Sequence, residues 1–168
     1  MSQEILYSPD RSLSITIAFE GSSLSWSVVK NGVPVLLPSP LGFDLAEVDA
    51  SKELVFAGKE EGEINETYTI PAFKKAECLN YCKTLKLCFT KDGYPFSVEA
   101  RAFDNGAAVR LNLEKEGTFK KELTGFRLPE NTHTVYCTKF RFSYEDEYNP
   151  VPLEDLFIIK ASQPHVVA

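Results

Sequence analysis

The sequence has no dense run of lysine and arginine. Eighteen Lys and Arg stand against 24 Asp and Glu, a formal net charge of −6 at pH 7. A phosphate backbone is held by a clustered basic footprint, so no nucleic-acid partner is expected. No apolar run approaches the length of a membrane span, and no membrane partner is expected. The amino terminus, MSQEILYSPD, lacks a basic segment followed by a long apolar run and so does not read as a signal peptide. Two readings of compartment stay open: a cytoplasmic protein, or a periplasmic or extracellular one given without its leader. Repeats, low-complexity tracts and glycine-rich phosphate loops are missing. No segment sustains a helical apolar repeat over the length of a helix. His133 and His165 stand in no nucleophile–base motif. The cysteines lack paired CxxC knuckles, with Cys78, Cys82 and Cys88 clustered and Cys137 remote. Free, mostly buried thiols are expected, with a disulfide and a metal site as the alternatives.

What the chain does have is alternation. In residues 96–113, Phe96, Val98, Ala100 and Ala102 fall on one face, and Ser97, Glu99, Arg101 and Phe103 on the other. Ala107, Val109, Leu111 and Leu113 repeat the pattern on a returning limb. Between the limbs sits Asp104-Asn105-Gly106, whose residues tolerate positive φ and close a tight hairpin. Arg101 and Arg110 come near each other at this hairpin and are expected to pair with Glu99 or Glu114.

The same two-residue period recurs along the chain. Ile5-Leu6-Tyr7 is a short strand ended by the turn Ser8-Pro9-Asp10. Leu13, Ile15, Ile17 and Phe19 form one face of the next strand, Gly21-Ser22-Ser23 turns the chain, and Leu24, Trp26 and Val28 continue. Asn31-Gly32 is a strong hairpin signal, and Pro34, with no N–H to donate, places the returning strand at a sheet edge. Residues 41–45 read as extended, and a further strand is expected around Leu54-Val55-Phe56. Glu60-Glu61-Gly62-Glu63 reads as a solvated acidic loop, Thr67-Tyr68-Thr69-Ile70 as a strand stopped by Pro71, and residues 73–80 as room for a helical turn. Residues 82–90 alternate up to the Asp92-Gly93 turn. Strands are expected over 121–128, 134–142 and at Phe157-Ile158-Ile159, and residues 153–156 read as a helical turn or an extended link. Short strands separated by Gly, Asn and Asp turns give an all-β fold, an antiparallel β-sandwich or barrel. At 168 residues the chain has the length of a single domain, residues 1–168.

Several stretches, in order, resemble the N-terminal domain of glycoside hydrolase family 97, a family of α-glucosidases and α-galactosidases. They are Tyr7-Ser8-Pro9-Asp10 with its following strand, Trp26 through Val33-Pro34-Val35-Leu36-Leu37-Pro38-Ser39-Pro40, the hairpin of residues 96–113, Phe126-Arg127-Leu128-Pro129, and Tyr144-Glu145 followed by Tyr148. Val109, Leu111 and Tyr136 depart from that family's larger aromatics. The resemblance implies a β-super-sandwich of the galactose mutarotase-like type, stopping short of the family's full N-terminal domain. It also implies a parent α-glycosidase whose (β/α) barrel catalytic domain this module supports without being catalytic itself. By the same resemblance a glutamate of this domain helps hold calcium beside the sugar, and the matching residue here is Glu145.

The residues themselves add a second route to sugar. Tyr144 and Tyr148 flank the acidic run Glu145-Asp146-Glu147, so aromatic rings could stack on a pyranose while carboxylates take its hydroxyls. Oxygen-rich clusters also suit hard cations. With the resemblance, the expected carbohydrate-binding residues are Tyr144, Glu145 and Tyr148, and the resemblance implies Glu145 as the metal ligand. The alternatives are that these tyrosines merely cover the sandwich edge, or that the chain is a free-standing β-sandwich binding a sugar or a protein. No pair of carboxyls is set apart as a hydrolytic acid and base, so no catalytic residue is assigned.

Overall fold

A computed structural model of the chain describes residues 2–20, 23–48, 53–71, 77–130, 132–137 and 148–155. These fall into two compact units, Met1–Arg127 and Leu128–Ala168. Strands dominate the first unit, and the described residues hold one short 3-10 turn.

The first unit is built from two antiparallel sheets of four strands. One has the order β1 (Ser2–Tyr7), β2 (Leu13–Glu20), β3 (Ser23–Lys30) and β4 (Val33–Leu41). The other comprises β6 (Val55–Thr69), β7 (Glu77–Lys91), β8 (Tyr94–Phe103) and β9 (Gly106–Leu113). Between them in sequence, β5 (Phe43–Leu45) pairs with β10 (Phe119–Glu122). Alternation explains the stacking. Leu6, Ile15, Val28 and their neighbours on the first sheet face Leu87, Phe89, Phe96 and Val98 on the second, in one continuous core. The Phe19 ring meets the Phe89 ring edge-on across the sheets at 5.5 Å, and Phe89 stacks on Phe96 at 5.6 Å. Each such fully buried side chain contributes about 1.5–3 kcal/mol of transfer free energy. The all-β sandwich expected from the sequence is what forms, and β4 with its Pro34 stands at the end of its sheet's strand order.

Four local expectations are corrected. The acidic run Glu60-Glu61-Gly62-Glu63 is not a loop but the middle of β6. Its register sets Glu60 opposite Lys86 and Glu63 opposite Lys83, with which Glu63 makes an ion pair. An edge strand tolerates charge on its solvent side, and charge there discourages pairing with other chains. The segments around Val55 and Tyr68, read apart, are thus one strand. Residues 77–80, expected in a helical turn, already belong to β7, because pairing with β6 extends to Glu77. The strand expected over 121–128 is shorter and earlier, Phe119–Glu122, followed by a single bridge from Leu37 to Arg127.

The last correction concerns turns. Asn31-Gly32 and Asp92-Gly93 do take positive φ at both residues, 51° and 77°, then 50° and 76°. This is the geometry of a two-residue hairpin that matches strand twist. Asp104 and Asn105 close their hairpin, with Phe103 opposite Gly106, without entering the positive-φ region.

In the second unit, β11 (Thr134–Cys137) pairs with β12 (Asn149–Pro152), and a 3-10 turn follows at Leu153–Asp155. The expected turn at Gly21-Ser22, residues 73–76 and 138–142, and the strand at Phe157-Ile158-Ile159 lie outside the described residues.

Candidate functional site

Of the expected sugar-facing residues, Tyr148 is described. It directly precedes β12 and is 73% exposed. Tyr144 and Glu145 fall in the sequence between β11 and β12 and lie outside the described residues. On β11 a further ring, Tyr136, is 69% exposed. In the sequence Tyr136 stands out only as a departure from the family's larger aromatics. Its period-two placement in a β-prone stretch is the signal that an exposed ring stands there.

Residues of four of the motif segments meet in the first unit as two clamps. At one, Ser8 and Ser12 hydroxyls donate to Asp10 Oδ1, at 2.8 and 2.5 Å, and the Ser12 N–H adds a third bond at 2.8 Å. The hydroxyl of Ser8 in turn accepts the Leu13 N–H, closing the β1–β2 turn. Asp10 N–H donates to Asp104 Oδ1, and the Lys30 ammonium donates to Ser12 Oγ and to the Asp104 carbonyl. Hydrogen bonds from the Ser12 hydroxyl and N–H, then from Ser8, hold the Asp10 carboxyl far below the usual carboxylate range. At the other clamp, Trp26 Nε1 donates to the Gly125 carbonyl at 3.3 Å and its ring meets Phe126 edge-on at 5.5 Å. Arg127 N–H donates to the buried Ser39 hydroxyl at 2.8 Å. These clamps fix loops to sheets. They use their polar groups on one another and present no open ligand set.

A third polar cluster lies on the outward face of β8 and β9. Glu99 Oε1 accepts from Arg101 Nε at 2.8 Å and Glu99 Oε2 from Arg110 Nη2 at 2.5 Å. Burial raises the affinity of Glu99 for its proton, and the two guanidinium groups more than offset it, leaving the carboxyl below its ordinary value. The expected partnership of Arg101 and Arg110 therefore goes to Glu99. Glu114 instead lies 3.5 Å from the Lys86 ammonium and accepts from Ser97 at 3.1 Å.

Cys82 is a buried free thiol whose proton affinity burial pushes up, and Cys88 is free and half-buried. Among the described residues no three His, Cys, Asp or Glu side chains converge as a metal-holding group. A calcium cage is thus not built from the described residues alone.

The chain matches the family model described as "Glycosyl-hydrolase 97 N-terminal" over residues 6–167. It is 27% identical to a retaining α-galactosidase of Bacteroides thetaiotaomicron, over 92% of this chain and 25% of that protein. It is 30% identical to a probable retaining α-galactosidase of Streptomyces bingchenggensis, over 77% of this chain and 21% of that one. Among solved structures it superposes on a β-arabinopyranosidase with a TM-score of 0.78 at 28% identity, covering 87% of this chain and 26% of the other. A glycoside hydrolase family 97 enzyme from Pseudoalteromonas sp. strain K8, in complex with panose, gives a TM-score of 0.77 at 25% identity, covering 90% and 25%. The chain spans about a quarter of the length of the curated relatives it matches. By this match the chain belongs to the glycosyl-hydrolase 97 N-terminal family.

Proposed function

We propose that this chain acts as the non-catalytic, carbohydrate-associated N-terminal domain of a family 97 glycoside hydrolase, supporting a (β/α) barrel that carries the catalytic carboxylates. The observation that carries the reading is the family match over residues 6–167, together with relatives of which the chain spans only about a quarter. Both curated relatives are named as α-galactosidases, so an α-galactoside is the first substrate class to try. In this reading Glu145 would be a carboxylate ligand of a calcium ion at the sugar site. Calcium, when bound, would supply positive charge against sugar hydroxyls, while Tyr144 and Tyr148 offer ring faces to the pyranose.

The test is made on the full gene product. It should cleave an aryl α-galactoside, and Glu145→Gln should raise the calcium concentration needed for half-maximal binding by roughly tenfold, since each carboxylate ligand tunes calcium affinity. Calcium binding unaltered by Glu145→Gln would remove that residue from the site. An 18.8 kDa product that binds no glycoside would remove the reading as a whole.

A further inference from the structure

Every residue from Leu113 to Glu122 is exposed, from the end of β9 to the end of β10. This strap nevertheless runs directly over the core, where Leu45 and Tyr94 are buried. A Cβ added to Gly117 would stand 2.9 Å from Leu45 Cδ1 and 3.0 Å from the Tyr94 hydroxyl oxygen. What holds the strap is polar. The Tyr94 hydroxyl donates to the Lys115 carbonyl, and the Thr118 N–H donates to Glu47 Oε2 at 2.9 Å. The Ala46 N–H donates in return to the Thr118 carbonyl at 2.8 Å. The short β5–β10 ladder follows, its register broken between Phe119 and Lys121. The two ends are fixed apart from these bonds. Glu114 accepts from Ser97 on β8. At the far side the Gly125 N–H donates to the Pro40 carbonyl at 2.9 Å, beside the Trp26 clamp.

Burial of apolar side chains is what keeps a segment in place, and none of the strap's side chains is buried. Hydrogen bonds beside water are exchanged for bonds to water at small net cost. A stretch held by such bonds opens at a free energy well below that of global unfolding. Fixed ends let it open without parting the sheets. We propose that residues 115–122 are a hinged strap, latched by Glu47 and Tyr94, which lifts from the core while both four-stranded sheets stay folded. Lifting uncovers Leu45, releases the Tyr94 hydroxyl and frees the edge of β5 that β10 occupies. The closed chain thereby keeps an apolar patch and an adjoining strand edge out of reach, and the open chain presents both.

Amide hydrogen exchange of the 168-residue chain, followed by NMR, tests this. The Ala46 and Leu123 N–H groups report strap opening, because their acceptors, the Thr118 and Gly42 carbonyls, survive any side-chain substitution. Both should exchange faster than Leu87 and Val98 of the central strands, through an opening that low urea does not speed. Glu47→Ala and Tyr94→Phe each remove one latch bond. Each should speed Ala46 and Leu123 by about fivefold and leave Leu87 and Val98 unchanged. Exchange of Ala46 and Leu123 in step with the core at every urea concentration overturns the strap, which then leaves only with the whole fold. Substitutions that speed strap and core equally, or neither, overturn the latch. Tyr94→Phe keeps the buried ring, so the test stands even where Glu47→Ala disturbs folding.

Discussion

The backbone N–H of Asp10 donates to Oδ1 of Asp104 at 3.0 Å, joining residues 94 positions apart. Two turns at the same end of the sandwich, one from each sheet, are thereby tied, and Lys30 bridges them through Ser12 and the Asp104 carbonyl. Both aspartates sit in segments through which the chain resembles its family. In this structure their hydrogen bonds close that end of the sandwich.

The tie carries a pH signature. The carboxyl of Asp10, ordinarily near 3.8, is lowered in the folded chain by its Ser12 and Ser8 hydrogen bonds. A depressed folded value means the unfolded state binds the proton more readily, so this stabilisation is present above about pH 4 and lost as pH falls further. Asp10→Ala should therefore lower Tm at pH 7, with the gap to the parent chain narrowing as pH drops below 3.8. A gap of constant size from pH 7 to pH 2 in thermal denaturation would contradict the assignment.

Hairpin chemistry gives a paired test. Gly93 holds φ of +76°, and an added Cβ there meets nothing in space, so only backbone strain opposes it. Gly93→Ala should cost about 1 kcal/mol in urea denaturation, the usual penalty of a left-handed residue with a side chain. Gly106 stands outside the left-handed region with equally open surroundings, so Gly106→Ala should be close to neutral. Equal losses from the two substitutions would mean that the turn at Asp104 and Asn105 is of the positive-φ kind after all.

On the outward face, Glu99 is shared by two arginines. A double-mutant cycle of Glu99→Gln with Arg110→Ala should return a coupling of roughly 0.5–1 kcal/mol, because Arg110 is largely in water while Glu99 is mostly covered. The coupling should shrink at high salt. Zero coupling at low salt would show that Arg101 alone holds Glu99.

The architecture was legible wherever alternation is strict. Leu13-x-Ile15-x-Ile17 and Phe96-x-Val98-x-Ala100-x-Ala102 each put their apolar set into the core, and a one-residue slip would have exposed it. The acidic run at residues 60–63 was misread because composition is local and pairing is not. Lys83 and Lys86, some 20 residues further on, are what make that stretch a strand. The turn at Asp104 and Asn105 was right in place and wrong in φ, since neither residue type demands the left-handed region that it tolerates. The Asp10–Asp104 tie left no mark in the sequence, because nothing local links a Ser-Pro-Asp turn to a hairpin so far away. The expectation of sugar contact at Tyr144, Glu145 and Tyr148 came from the family resemblance and from rings set beside acids; of the three, Tyr148 is described, and it is exposed.

The central claim, that this chain is the N-terminal domain of a family 97 glycoside hydrolase, is tested most directly by the intact mass of the protein as its native cell makes it. A product several times heavier than 18.8 kDa is expected, in keeping with relatives of which this chain spans about a quarter. A product of 18.8 kDa would contradict it and leave the sandwich to act alone.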